Sequence, residues 1–207
     1  MSFFDDTQKL GLVLIIVGIL SIISAIFMIA AGFVDDLINI TIDGEDLDGN
    51  DKTLYCVIAG IGSLIGAIIY FLFGKQVRSG AISAKIDVLA TYVRTVGVVM
   101  LIGGIFGAAA TAAAGVSLGA VIVSAIVTII ISLIIIWIAS KINDGKQSTG
   151  DKIIWVLLVI AFIIMLILSI LECITIIGII DGICGVLISL FMLGFLFDSE
   201  VKAQMNM

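Results

Sequence analysis

From residue 117 to residue 140 the chain carries no charged side chain, and Lys141 closes the run. A helix rises about 1.5 Å per residue, so such a stretch crosses a hydrocarbon layer of about 30 Å. Trp137 and Lys141 stand together at one end, the aromatic and the cation that a headgroup boundary favours. Inside lipid a backbone amide or carbonyl has no water to bond, which leaves helices and closed barrels as spanning structures. Barrel strands alternate in polarity over segments of about ten residues. This run is longer and apolar on every face, so it is a helix.

The same pattern recurs at 10–33, 54–74, 89–113, 153–171 and 175–197. Together the runs predict an all-α integral membrane protein: one domain, a bundle of six transmembrane helices with short loops. Only 13% of the residues are charged, where a soluble domain carries about a quarter, so water-soluble folds are excluded. The start of the chain is acidic rather than basic, with Asp5 and Asp6 against Lys9. The first run is therefore expected to be a retained helix, not a cleaved signal.

Cations set the expected orientation. With the amino terminus in the cytoplasm of a cell-membrane protein, the inner segments hold Lys9, Lys75, Arg78, Lys85, Arg94, Lys141, Lys146, Lys152 and Lys202, and only Lys52 falls outside. The positive-inside rule then places both termini in the cytoplasm. The outer loop 35–53 holds Asp35, Asp36, Asp43, Glu45, Asp46, Asp48 and Asp51. Clustered carboxylates suit a hard cation, but aligning Gly49 with the central glycine of a calcium loop puts Gly44 and Tyr55 at the end ligand positions. The loop is expected to be a solvated acidic segment with no metal site. Asn39-Ile40-Thr41 is a glycosylation sequon in the same loop.

The protein has no histidine, which removes Ser-His and Cys-His nucleophile pairs and mixed Cys/His zinc sites. Cys56, Cys173 and Cys184 lack the Cys-x-x-Cys spacing of metal and redox motifs. No catalytic set, no cofactor and no nucleic-acid partner are expected. Two carboxylates are the candidate functional groups. Glu172 and Asp181 share the turn between the last two spans, and an acid at membrane depth marks a functional position by default. The competing placement sets Asp181 at headgroup level beside Glu172, and it is the one expected. Lys85 and Arg94, at the start of the third span, are placed to reach lipid headgroups.

Glycines four apart let helix backbones approach closely. Gly62 and Gly66, Gly103 and Gly107, and Gly178 and Gly182 are the packing pairs expected, with Gly115 and Gly119 similarly spaced. The small cross-section of 103–112 predicts the third helix at the centre of the bundle. Gly11/Gly97, Val13/Val99, Ile16/Ile102, Gly18/Gly104 and Ile19/Ile105 coincide when the first and third spans are superposed, which suggests three related hairpins. Short loops and close-packing glycines favour a structural or accessory subunit that contacts the lipid bilayer and other membrane subunits, or itself, through small-residue faces. The alternative is a small transporter or channel with Asp181 or the acidic loop at its mouth. An enzyme is the weakest class.

Overall fold

The computed structural model describes residues 3–34, 37–42, 44–145, 148–174 and 179–207. Of the residues singled out above, Asp35, Asp36, Asp43, Lys146 and Gly178 lie outside these, as does the start of the expected 175–197 span.

Six long apolar helices carry the fold: α1 (Thr7–Ala31), α2 (Gly49–Arg78), α3 (Lys85–Ala113), α4 (Leu118–Ile142), α5 (Thr149–Glu172) and α6 (Ile179–Leu196). A short α7 (Ser199–Gln204) follows, and a 3-10 turn, Phe3–Asp5, precedes α1. Each long helix has the length and apolar character to cross a bilayer. The helix α2 starts at Gly49, earlier than the expected 54, and its ends suit the helix dipole, with Asp51 in the first turn and Lys75 and Arg78 in the last. Asp87 plays the first-turn role in α3. The Ser148 amide donates to the Asp151 carboxylate at 2.6 Å to start α5. In the acidic loop, β1 (Thr41–Ile42) pairs antiparallel with β2 (Glu45–Asp46), Thr41 opposite Asp46. Gly44, at φ +87°, makes the turn between them, a conformation side chains resist.

The chain forms two compact units. The first comprises Met1–Val17, Tyr70–Thr95 and Ile136–Met207. Its core is built from Leu10 and Leu14, Val77, Val88 and Leu89, and Phe191, Met192 and Phe195, all fully buried or nearly so. Tyr92, 4% exposed, lies between Phe73 and Phe162 at ring distances of 6.5 and 6.0 Å. Two close backbone contacts fix helix pairs here. A Cβ on Gly74 would fall 2.7 Å from the Ile15 amide nitrogen, and one on Gly182 would fall 2.7 Å from both the Cys173 amide and the Ser169 carbonyl. Gly11 meets the backbone of Arg78 in the same manner.

The second unit comprises Gly18–Ile69 and Val96–Ile135. Gly62 lies against Phe106, Gly66 against Val99, and Gly104 against Thr128. Thr53 donates to the Gly32 carbonyl at 2.5 Å, and Lys52, only 3% exposed, donates to the Val34 carbonyl at 3.2 Å. These bonds use carbonyls left unpaired beyond the end of α1.

One expectation is corrected. The burial of α3 is concentrated in its first half, where Ile86, Val88, Leu89, Ala90, Tyr92 and Val93 are all buried, whereas in its small-residue half Ala110 is buried but Gly103, Ile105 and Ala109 are exposed and the rest half-buried. Small side chains bury little apolar area, so the large ones near Tyr92 decide where the core forms.

Candidate functional site

The two candidate carboxylates stand at the α5–α6 end. Glu172 is the last residue of α5 and Asp181 lies in the first turn of α6, and both are exposed. Asp181 is thus near its helix start. Cys173 and Cys184 are free thiols, as is the buried Cys56.

The glycine pairs divide. Gly62, Gly66 and Gly182 each face a neighbouring segment closely, whereas Gly103, Gly107 and Gly119 have no described atom within 4 Å of where a Cβ would stand. Gly104, next to Gly103, makes the close approach instead. Gly11 and Gly74, which have no four-residue glycine partner, make tight contacts that spacing alone did not reveal.

The strongest charged constellation lies in the first unit, around a residue expected to reach for lipid. Lys85, one turn before the apolar part of α3, holds Asp198 at 2.5 Å and Asp5 at 3.5 Å. Asp198 also caps α7, its other oxygen accepting the Glu200 amide at 2.9 Å. The hydrogen bond between them holds the Asp198 carboxyl below its usual range and raises the Lys85 ammonium above its own, burial opposing each shift. Around this pair, Phe3 and Phe4 stack on Phe191 at 5.6 and 5.2 Å. Lys202 of α7 lies 5.0 Å from the Phe197 ring, and the Trp155 indole donates to the Leu196 carbonyl at 2.8 Å. Trp155 is thereby a tie between α5 and the end of α6, while Trp137 is 57% exposed.

Hydroxyls within the spans turn back on their own helices. Thr111 donates to the Gly107 carbonyl at 2.8 Å, Thr128 to Ser124 at 3.0 Å, Ser132 to Thr128 at 2.7 Å, and Ser189 to Gly185 at 2.8 Å. Such bonds satisfy a hydroxyl that lipid cannot. Among the described residues no three of the Cys, Asp and Glu side chains gather as a metal site would require. In the loop, Asp46 accepts a hydrogen bond from Thr41 at 2.6 Å.

Six apolar helices of spanning length in an all-α fold define a multi-pass membrane protein. Comparison with known proteins finds no matching family, no similar curated protein and no similar solved structure.

Proposed function

We propose that the protein is a non-enzymatic accessory or partner-binding subunit of a membrane complex, resident in the cell membrane with both termini in the cytoplasm. The observation that carries this reading is the division of the glycines. Gly62, Gly66 and Gly104 are spent on contacts within the second unit, while Gly103 and Gly107, one turn apart on α3, face no described atom. A glycine in a helix interior costs about 0.5–1 kcal/mol relative to alanine, and close approach to a second backbone offsets that cost. A partner helix, from another subunit or a second copy, supplies the missing contact.

The test is purification in mild detergent of the wild type and of a Gly103→Leu/Gly107→Leu variant. A stoichiometric partner, or a second copy, is expected with the wild type and not with the variant, at unchanged melting temperature. Equal recovery from both sinks the proposal. Solute uptake in proteoliposomes that Asp181→Ala abolishes would replace it with the transporter reading.

A further inference from the structure

We propose that Phe3–Asp5 is a strap across α6 that opens about Asp6 while the helices stay in place, and that α7 competes with it for Lys85. The inference stands independently of the subunit reading. Every residue in it belongs to the first unit. The strap is a single 3-10 turn. Its Phe3 and Phe4 rings rest on Phe191, which has no exposed surface. The Phe4 backbone lies over Gly194, where a Cβ would stand 3.4 Å from the Phe4 carbonyl oxygen. Phe3 is nonetheless 49% exposed, so the strap is shallowly seated and belongs to the low-stability end of the structure.

The elements on either side are held without it. The Asp6 carboxylate accepts the Gln8 and Lys9 amides at 2.9 and 3.3 Å and so caps α1 by itself. Past the cap, the Gln8 carbonyl accepts a bond from Arg78 at 3.3 Å and Gly11 packs on the Arg78 backbone, which anchors α1 to α2. On the other side α6 rests on α5, with Gly182 and Gly185 against Ser169 and the Trp155 indole donating to the Leu196 carbonyl. Opening the strap breaks none of these contacts, and Asp6 is the hinge they leave.

The latch is one ammonium shared by two acids. Lys85 stands 2.5 Å from Asp198 and 3.5 Å from Asp5. Attraction weakens with distance and with access of water and salt. Asp5 is the farther acid and also the more exposed, 36% against 19% for Asp198. Asp198 therefore takes the larger share, and the strap is held by what remains. With the charge removed from Asp198, the ammonium closes on Asp5. Loosening the cap of α7 thus tightens the strap, the reverse of what a general weakening of that end would do. While the strap is open, Phe191 and Gly194 form an uncovered apolar seat near the end of α6.

The experiment places a reporter under the strap: Gly194→Cys, in full-length protein with the three native thiols replaced, labelled in detergent by a hydrophilic maleimide. Its rate reads the open fraction. Asp5→Asn is expected to label about fivefold faster than the reporter protein alone, the most that an exposed ion pair supplies. Lys85→Met is expected to label at least as fast, and Asp5→Asn carries the test if Lys85→Met fails to fold. About 0.5 M salt should speed labelling when Asp5 is present and have little effect in Asp5→Asn. Asp198→Asn, which keeps a side-chain oxygen for the Glu200 amide, is expected to label more slowly than the reporter protein alone. Trp155 emission should be the same with and without Asp5→Asn. An unchanged rate in Asp5→Asn overturns the proposal, as does a faster rate accompanied by shifted Trp155 emission, which makes the opening a loss of the whole end. A rate in Asp198→Asn equal to or above that of the reporter protein overturns the competition for Lys85.

Discussion

Lys85 shows how much one side chain can hold. It joins the amino-terminal segment, through Asp5, to the cap of α7, through Asp198. The Asp198 carboxyl titrates below its ordinary value of 3.8, so its contribution is present above that pH and lost as the pH falls through the lowered pKa. Lys85 titrates above 10.5, so its contribution is whole below that pH and lost as the pH rises through the raised pKa. Melting temperature in detergent should therefore hold level between these limits and fall beyond both. Lys85→Met should cost about 1.5–3 kcal/mol near neutrality, the range for a hydrogen bond to a charged group, and should flatten both limbs. Glycines give a second contrast at this scale. Gly74→Ala drives a methyl into the α1 backbone, where Ile15 and Leu14 cannot yield, and should cost about 1–3 kcal/mol. Gly103→Ala meets no described atom within 4 Å in this chain and, in the chain freed of any partner, should be neutral or stabilise by up to about 1 kcal/mol, as thermal unfolding of the two variants will show.

Among the helices, α7 is an α-helix that hydropathy did not disclose, as it did not disclose the 3-10 turn or the β1–β2 pair. Its six residues, Ser199–Gln204, are too few to show a period, and three of them are charged or amide-bearing. It is nonetheless pinned by Val201, 1% exposed, and by Met205 at its end. Met205→Ala should cost about 2–5 kcal/mol and should shift Trp155 emission, because Lys202 of α7 lies beside that ring. The long helices were legible because lipid demands the same thing of every backbone group, and an uncharged run of sufficient length answers it. What spacing left open was the neighbour. Gly62/Gly66 and Gly103/Gly107 have identical spacing, yet the first pair meets Phe106 and Val99 and the second meets nothing described. A four-residue interval defines a face, and the tertiary arrangement decides what that face meets. Lys85 was misread for the same reason, since its partners lie at opposite ends of the sequence.

For the molecule as a whole, the cation distribution makes a sidedness prediction. Single cysteines placed at Gln8 or Ser199, in a background with the three native thiols replaced, should react with an impermeant reagent only after cells are opened. One placed at Asp46 should react in intact cells. The reverse pattern would invert the proposed orientation while leaving the six spans intact.

Asp198 is made 113 residues after Lys85, with the remainder of α3 and all of α4, α5 and α6 translated in between. A nascent chain that stalls inside that interval leaves the lysine with a single, weaker counterion at 3.5 Å. The closer of the two pairings therefore forms only after all six long helices have been made.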